Sequence, residues 1–168
     1  MKVTVIANIS ANGKTLLSNN PHYQLPKEAM GFYLKYANKV GNLIIGWKTF
    51  ENFRKFPKEI KEHFKGIKII ILADIPYEIE GYTVVGSPEE AIEHLTAEGL
   101  QEVAIGGGTG TFNAFIDKDL VTDLYFNISP VITGNGGVLG NNPVLSTKFK
   151  LAEHTVNEDN LLLHFTKL

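Results

Sequence analysis

The chain has 168 residues, enough for one domain with a substantial core and short for two. Hydrophobic residues make up 43% and charged residues 20%, with a formal net charge of −2, so the chain offers no broad basic surface to nucleic-acid phosphates. With no cysteine, disulfides, zinc–thiolate sites, iron–sulfur clusters and cysteine nucleophiles are excluded.

The opening stretch MKVTVIANIS lacks a signal-peptide cleavage pattern, and no apolar run approaches the roughly 20 residues of a membrane helix. The expected compartment is the cytoplasm, with neither a membrane nor a nucleic acid as partner. Lys61, Lys65 and Lys68, interleaved with Glu59 and Glu62, read as a solvated helix face.

In chain order, Lys2–Ile9 is a nearly all-apolar strand, expected centrally in a sheet covered on both faces. Asn12-Gly13 supplies turn chemistry. A helix follows Pro26, with Phe32, Tyr33 and Tyr36 among its core contacts. Asn42–Ile45 is a second buried strand, and a short helix runs from Thr49 towards Pro57. Lys68–Leu72 and Tyr82–Val85 are further strands. Ser87-Pro88 caps and opens a helix that runs to Ala97, where Gly99 stops it. Glu102–Ile105 is the next strand, followed by a glycine cluster and a helix through Phe112–Ile116. Asp123–Ile132 is a long strand, and Lys150–Val156 with Asn160–Phe165 forms an antiparallel hairpin.

This alternation predicts a single α/β domain over residues 1–168, with helices on both faces of a mostly parallel sheet and an antiparallel C-terminal edge. Ligands in such sheets sit beyond the carboxyl ends of the strands, where Gly46–Thr49, Ala73-Asp74 and Gly106–Thr109 all fall. Gly106-Gly107-Gly108 leads from a strand into a helix, so its backbone can approach a ligand and the helix can present free N–H groups to a pyrophosphate. The spacing is not GxGxxG, and a tight packed turn explains the cluster equally well. Gly46-Trp47-Lys48-Thr49 repeats the arrangement, with Thr49 as a cap or phosphate donor and Lys48 as its charged partner. A capped surface helix with an exposed lysine is the plainer account of that turn alone. Together the two turns read as the ends of an extended dinucleotide site.

The frame IAN, LPKEAMGFYLKYA, LIIGWKTFENF, GIKIIILA, EVAIGGGTGTFNAFI and DLYFNISPVITGNGG resembles, in order and spacing, the dihydrofolate reductase superfamily, including RibD-type reductase domains. The resemblance spans residues 2 to 140 and implies a three-layer dihydrofolate-reductase-like fold. It implies that Gly46, Lys48 and Thr49 contact cofactor phosphates and that Gly106, Gly107 and Gly108 lie against the nicotinamide. It implies a cis peptide between the first two of these glycines. Ala7 and Ile9 would approach the nicotinamide and substrate from the first strand, with Asn12 and Asn127 also on the substrate. Glu28 matches the acid that grips the pterin and helps its protonation, although a first-turn glutamate also favours any helix dipole. Phe32, one turn on, would pack against a flat heterocycle or into the core.

Ile67 stands where folate enzymes carry an arginine for the folate tail, and isoleucine cannot bind a carboxylate. Pro130-Val-Ile-Thr-Gly134-Asn-Gly136-Gly137 has the RibD-like form, and Ser10-Ala11-Asn12-Gly13-Lys14 resembles the RibD-type S-x-D-G-K turn with asparagine for aspartate. No D-x-P-x-L segment follows the second strand. Positions that would read the extra phosphate of NADPH hold Trp47, Asp74 and Thr109. The resemblance implies NADPH, while Asp74 suits the ribose hydroxyl of NADH.

The five histidines show no metal-ligand spacing, no serine sits in a G-x-S-x-G elbow, and no metal site is expected. The leading expectation is an NAD(P)H-dependent reductase like the RibD C-terminal domain, passing hydride to a phosphoribosylaminopyrimidine. Dihydrofolate reductase and a non-catalytic dinucleotide-binding relative are the alternatives. A homodimer through the terminal hairpin fits the resemblance.

Overall fold

A computed structural model describes residues 1–168. The strands are β1 (Lys2–Ser10), β2 (Asn42–Gly46), β3 (Lys68–Leu72), β4 (Thr83–Val85), β5 (Glu102–Gly107), β6 (Asp123–Ser129), β7 (Phe149–Asn157) and β8 (Asn160–Lys167). The helices are α1 (Lys27–Val40), α2 (Trp47–Arg54), α3 (Lys58–Glu62), α4 (Pro88–Ala97) and α5 (Thr109–Ile116). They flank one eight-stranded sheet in the order β4-β3-β2-β5-β1-β6-β8-β7. Pairing is parallel from β4 to β6, and β8 and β7 add antiparallel. The α/β class and the antiparallel C-terminal edge are as the sequence predicts.

Period-two alternation divides the core into two layers. Val3, Val5, Ala7 and Ile9 of β1 join Ile44, Ile70, Val103 and Ile105 beneath α4 and α5, whose Leu95, Phe112 and Phe115 complete that layer. Ile6 points the other way, with Leu43, Ile45, Ile69, Ile71 and Ala104 beneath α1 and α2. At the start of β2 the buried Asn42 side chain donates to the Glu102 carbonyl (2.9 Å) and accepts from Ala104 N–H (3.2 Å). It thereby satisfies backbone groups where the β2–β5 ladder is incomplete.

Some local boundaries differ from expectation. β6 stops at Ser129, because Pro130 has no N–H for the ladder and Val131 N–H turns back onto the Ser129 carbonyl at 2.8 Å. α2 begins directly at Trp47, so Thr49 is inside its first turn and caps nothing. Lys61 lies in α3, but Lys65 follows that helix and Lys68 opens β3, so the three lysines share no helix face. Ser87 does cap α4, its hydroxyl accepting from Glu90 N–H at 3.1 Å. The cis peptide joins Gly107 and Gly108, one residue later than the resemblance implies. No helix is long and apolar enough to cross a membrane, and no three acidic or imidazole side chains cluster as a metal site.

Candidate functional site: a cleft at two helix N-termini

β2 and β5 are neighbours in the sheet, and each runs into a helix at its carboxyl end. The first turns of α2 and α5 therefore open side by side. Neither has a side-chain cap: Gly46 precedes α2 and Gly108 precedes α5, and no hydroxyl or carboxylate takes their free N–H groups. Each helix is two turns long, so its N-terminal end carries unspent donors and a partial positive charge. Glycine is required at the first junction, since a Cβ on Gly46 would collide with the Thr111 hydroxyl.

A cleft of about 660 Å³ opens at these two ends. Gly46, Lys48, Thr49, Gly106, Gly107, Gly108, Thr109 and Asp74 all line it, so the two glycine turns and the end of β3 meet in one site. Thr49 Oγ1 faces Gly108 across the gap, at 3.3 Å from where a Cβ would stand. Thr109 is held from behind. Its hydroxyl lies 2.6 Å from that of Thr15, which accepts from Gly137 N–H at 3.0 Å. A Cβ on Gly137 would strike the Thr109 side chain, which is why the loop after β6 carries glycine there. The walls are mainly apolar, with Leu25 and Met30 at α1 and Phe53, Phe56 and Phe64 around α2 and α3. Lys48 and Asp74 are the charged side chains in the lining.

The remaining predicted residues lie elsewhere. Ala7 and Ile9 point into the α4–α5 core layer, and β1 reaches the cleft through Ile6 and Asn8. Asn12 stitches two loops, donating to the Thr133 carbonyl (3.0 Å) while its Oδ1 accepts from Ser10 Oγ (2.7 Å) and Thr133 N–H (3.2 Å). Phe32 packs between Tyr36 and Tyr125, with ring centroids at 5.9 and 5.1 Å. Glu28 is exposed in the first turn of α1, outside the cleft lining. Ile67, in place of a folate-binding arginine, is buried in the α1–α2 core layer. Asn127 is 8% exposed, beside Asn8 in register, and its amide nitrogen has no hydrogen-bond partner.

Two features escaped the sequence reading. Trp47 and Tyr77 stack almost parallel at 4.0 Å and 7°, and both line the cleft beside Asp74. Nothing in the spacing of residues 47 and 77 announces that contact. Asn8 was legible in principle, as a polar residue on the side of β1 that also carries Lys2, Thr4 and Ser10.

The sequence profile of the RibD C-terminal domain family matches residues 48–163. The chain belongs to that family. No curated protein sequence matches it significantly. Solved structures agree on the fold. A putative riboflavin biosynthesis protein from Shewanella sp. PV-4 superposes with a TM-score of 0.76 at 19% identity, covering 100% of this chain and 99% of that one. A pyrimidine reductase-like protein from Corynebacterium diphtheriae gives 0.75 at 14% identity, covering 99% and 92%. A Thermotoga maritima diaminohydroxyphosphoribosylaminopyrimidine deaminase/5-amino-6-(5-phosphoribosylamino)uracil reductase gives 0.73 at 14%, and this chain spans 56% of its length.

Proposed function

We propose that this protein is a nicotinamide-dinucleotide-dependent reductase that binds its cofactor along the two uncapped helix N-termini. The observation that carries the reading is their convergence, at adjacent strand ends, on one largely apolar cleft. A pyrophosphate suits that place, because free N–H groups, the helix dipoles and Lys48 all favour an anion there. The residues present therefore fit a dinucleotide, which when bound supplies a hydride for transfer to an electrophilic carbon.

The chain's own contribution is orientation and dryness. Gly106–Gly108 form a side-chain-free floor, Ile6 and Leu16 keep water from it, and Asn8 offers its amide to a polar edge of a flat substrate. Membership of the RibD C-terminal family supports an aminopyrimidine ribotide as substrate, its ribosyl carbon taking the hydride and opening to a ribityl chain. With Lys48 serving the dinucleotide, the ribotide phosphate would stand at the solvent-exposed mouth. Dihydrofolate is the weaker candidate, because Ile67 leaves no cation for its carboxylate tail.

Fluorescence titration with reduced nicotinamide dinucleotides, followed by assays with the aminopyrimidine ribotide and with dihydrofolate, tests this. Nucleotide binding with turnover of the ribotide is expected. Turnover of dihydrofolate alone would move the assignment to folate, and failure to bind either nucleotide would refute the reductase reading.

A further inference from the structure

Resting on the dinucleotide reading above, we infer that Asp74 makes this cleft selective for NADH over NADPH, by reading the ribose diol of the adenosine half and repelling a 2′-phosphate. The first ground is charge. Within the cleft lining Lys48 is the cation and Asp74 the anion, and neither enters a side-chain hydrogen bond or ion pair within the protein. The pyrophosphate takes Lys48 at the α2 terminus, which leaves no second cation for a further phosphate. Arg54, the single arginine of the chain, is not part of this lining: with Lys61 it borders a separate pocket that shares Trp47 and Tyr77, and it is paired with Glu51 at 3.0 Å.

The second ground is position. Asp74 follows β3 by two residues, at the carboxyl edge of the sheet and next to β2, where α2 begins. An acidic side chain beyond a strand end is the arrangement that accepts hydrogen bonds from a ribose 2′-hydroxyl. Residues 73–82, which connect β3 to β4, carry Asp74, Glu78 and Glu80 and no lysine or arginine, so this connection adds only negative charge beside the cleft.

The third ground is the aromatic slab. Trp47 and Tyr77 stack at 4.0 Å and border the cleft together with Asp74 and Ile75. A paired flat surface beside an unpaired carboxylate suits an adenine ring and its ribose, the one by stacking and the other by hydrogen bonding. Once Lys48 holds the pyrophosphate, the cleft lining itself offers a 2′-phosphate no further cation.

Equilibrium dissociation constants for NADH and NADPH, read by calorimetry on the full chain and on Asp74→Ser, test the inference. NADH is expected to bind roughly tenfold or more tightly than NADPH, with the gap narrowing as ionic strength rises. In Asp74→Ser the two nucleotides are expected to come within about threefold of each other. Asp74 is exposed, so the variant should fold, and an unchanged melting temperature checks that. NADPH binding as tightly as NADH to the native chain would overturn the inference while leaving the reductase reading intact. A preference that survives Asp74→Ser would overturn the role of Asp74. Binding of neither nucleotide would overturn both readings together.

Discussion

Gly106 and Tyr33 should be energetically coupled, and a double-mutant cycle measures it. The Tyr33 hydroxyl donates to the Gly106 carbonyl at 3.2 Å, and burial pushes that phenol above its ordinary pKa. A Cβ on Gly106 would overlap the same hydroxyl and stand 2.7 Å from Leu43 Cδ1. Gly106→Ala should therefore cost about 1–3 kcal/mol of overpacking, and about 1 kcal/mol more where the displaced hydroxyl loses its acceptor. Tyr33→Phe deletes one hydrogen bond, worth about 1 kcal/mol. In the double variant the phenylalanine leaves the space that the new methyl needs, and only the Leu43 contact remains to be relieved. Its destabilisation should fall short of the sum by about 1–2 kcal/mol. Urea unfolding of the four proteins reads this directly. Additivity within about 0.5 kcal/mol would refute the claim that glycine is held at 106 by the tyrosine hydroxyl. Because Gly106 lines the cleft, dinucleotide affinity measured on the same proteins should weaken in Gly106→Ala and partly recover in the double variant.

Acid should destabilise the protein through Glu102. Burial pushes its carboxyl up, but the Tyr36 hydroxyl and the Lys2 ammonium (3.1 Å) outweigh that and hold it below the usual range. A depressed folded-state value contributes stability that is complete above about pH 4.5 and disappears as pH falls through the folded value. Glu102→Gln should flatten that acid limb in pH-dependent thermal melts, and an unchanged limb would contradict it. Asn127→Val should stabilise the chain by about 1 kcal/mol, by removing the unpartnered buried amide, while weakening substrate affinity if Asn127 holds the substrate beside Asn8. Stabilisation with unchanged KM would assign Asn127 no part in binding. Glu28→Gln should leave kcat within about twofold, since the carboxylate is exposed and outside the cleft lining; a tenfold loss with an altered pH profile would make it the proton donor. Leu151 and Val156 are exposed on the hairpin face that they share with Leu161, Leu163 and Phe165, and a homodimer through that face is the proposal to test. Leu163→Glu should then shift light-scattering mass from dimer to monomer, and a native chain already monomeric at high concentration would exclude it.

What the sequence could carry was whatever depends on local period and turn chemistry. Glycine after a buried strand, serine and proline before a helix and a largely apolar first strand each determine their own surroundings, and the sheet follows from their order. What failed was parity and partnership. On β1 a one-residue slip exchanges the two faces of the sheet, so Ala7 and Ile9 fall into the core while Ile6 and Asn8 reach the cleft. The phase was written in the strand itself, whose apolar Val3, Val5, Ala7 and Ile9 alternate with Lys2, Thr4, Asn8 and Ser10, and only Ile6 interrupts the polar side. Asn12 was misplaced for a related reason. Its side chain is consumed by Ser10 and Thr133, and the second of these is more than a hundred residues away. A shorter but still non-local separation hid Tyr77, whose stacking on Trp47 depends on how the β3–β4 connection folds back over α2. The glycines of the cleft floor were thus legible as a run between a buried strand and a helix, although the contact that holds Gly106, with the Tyr33 hydroxyl, was not. The aromatic pair and the two neighbouring asparagines, Asn8 and Asn127, are set by contacts between distant segments, and these emerge only when the strands are in register.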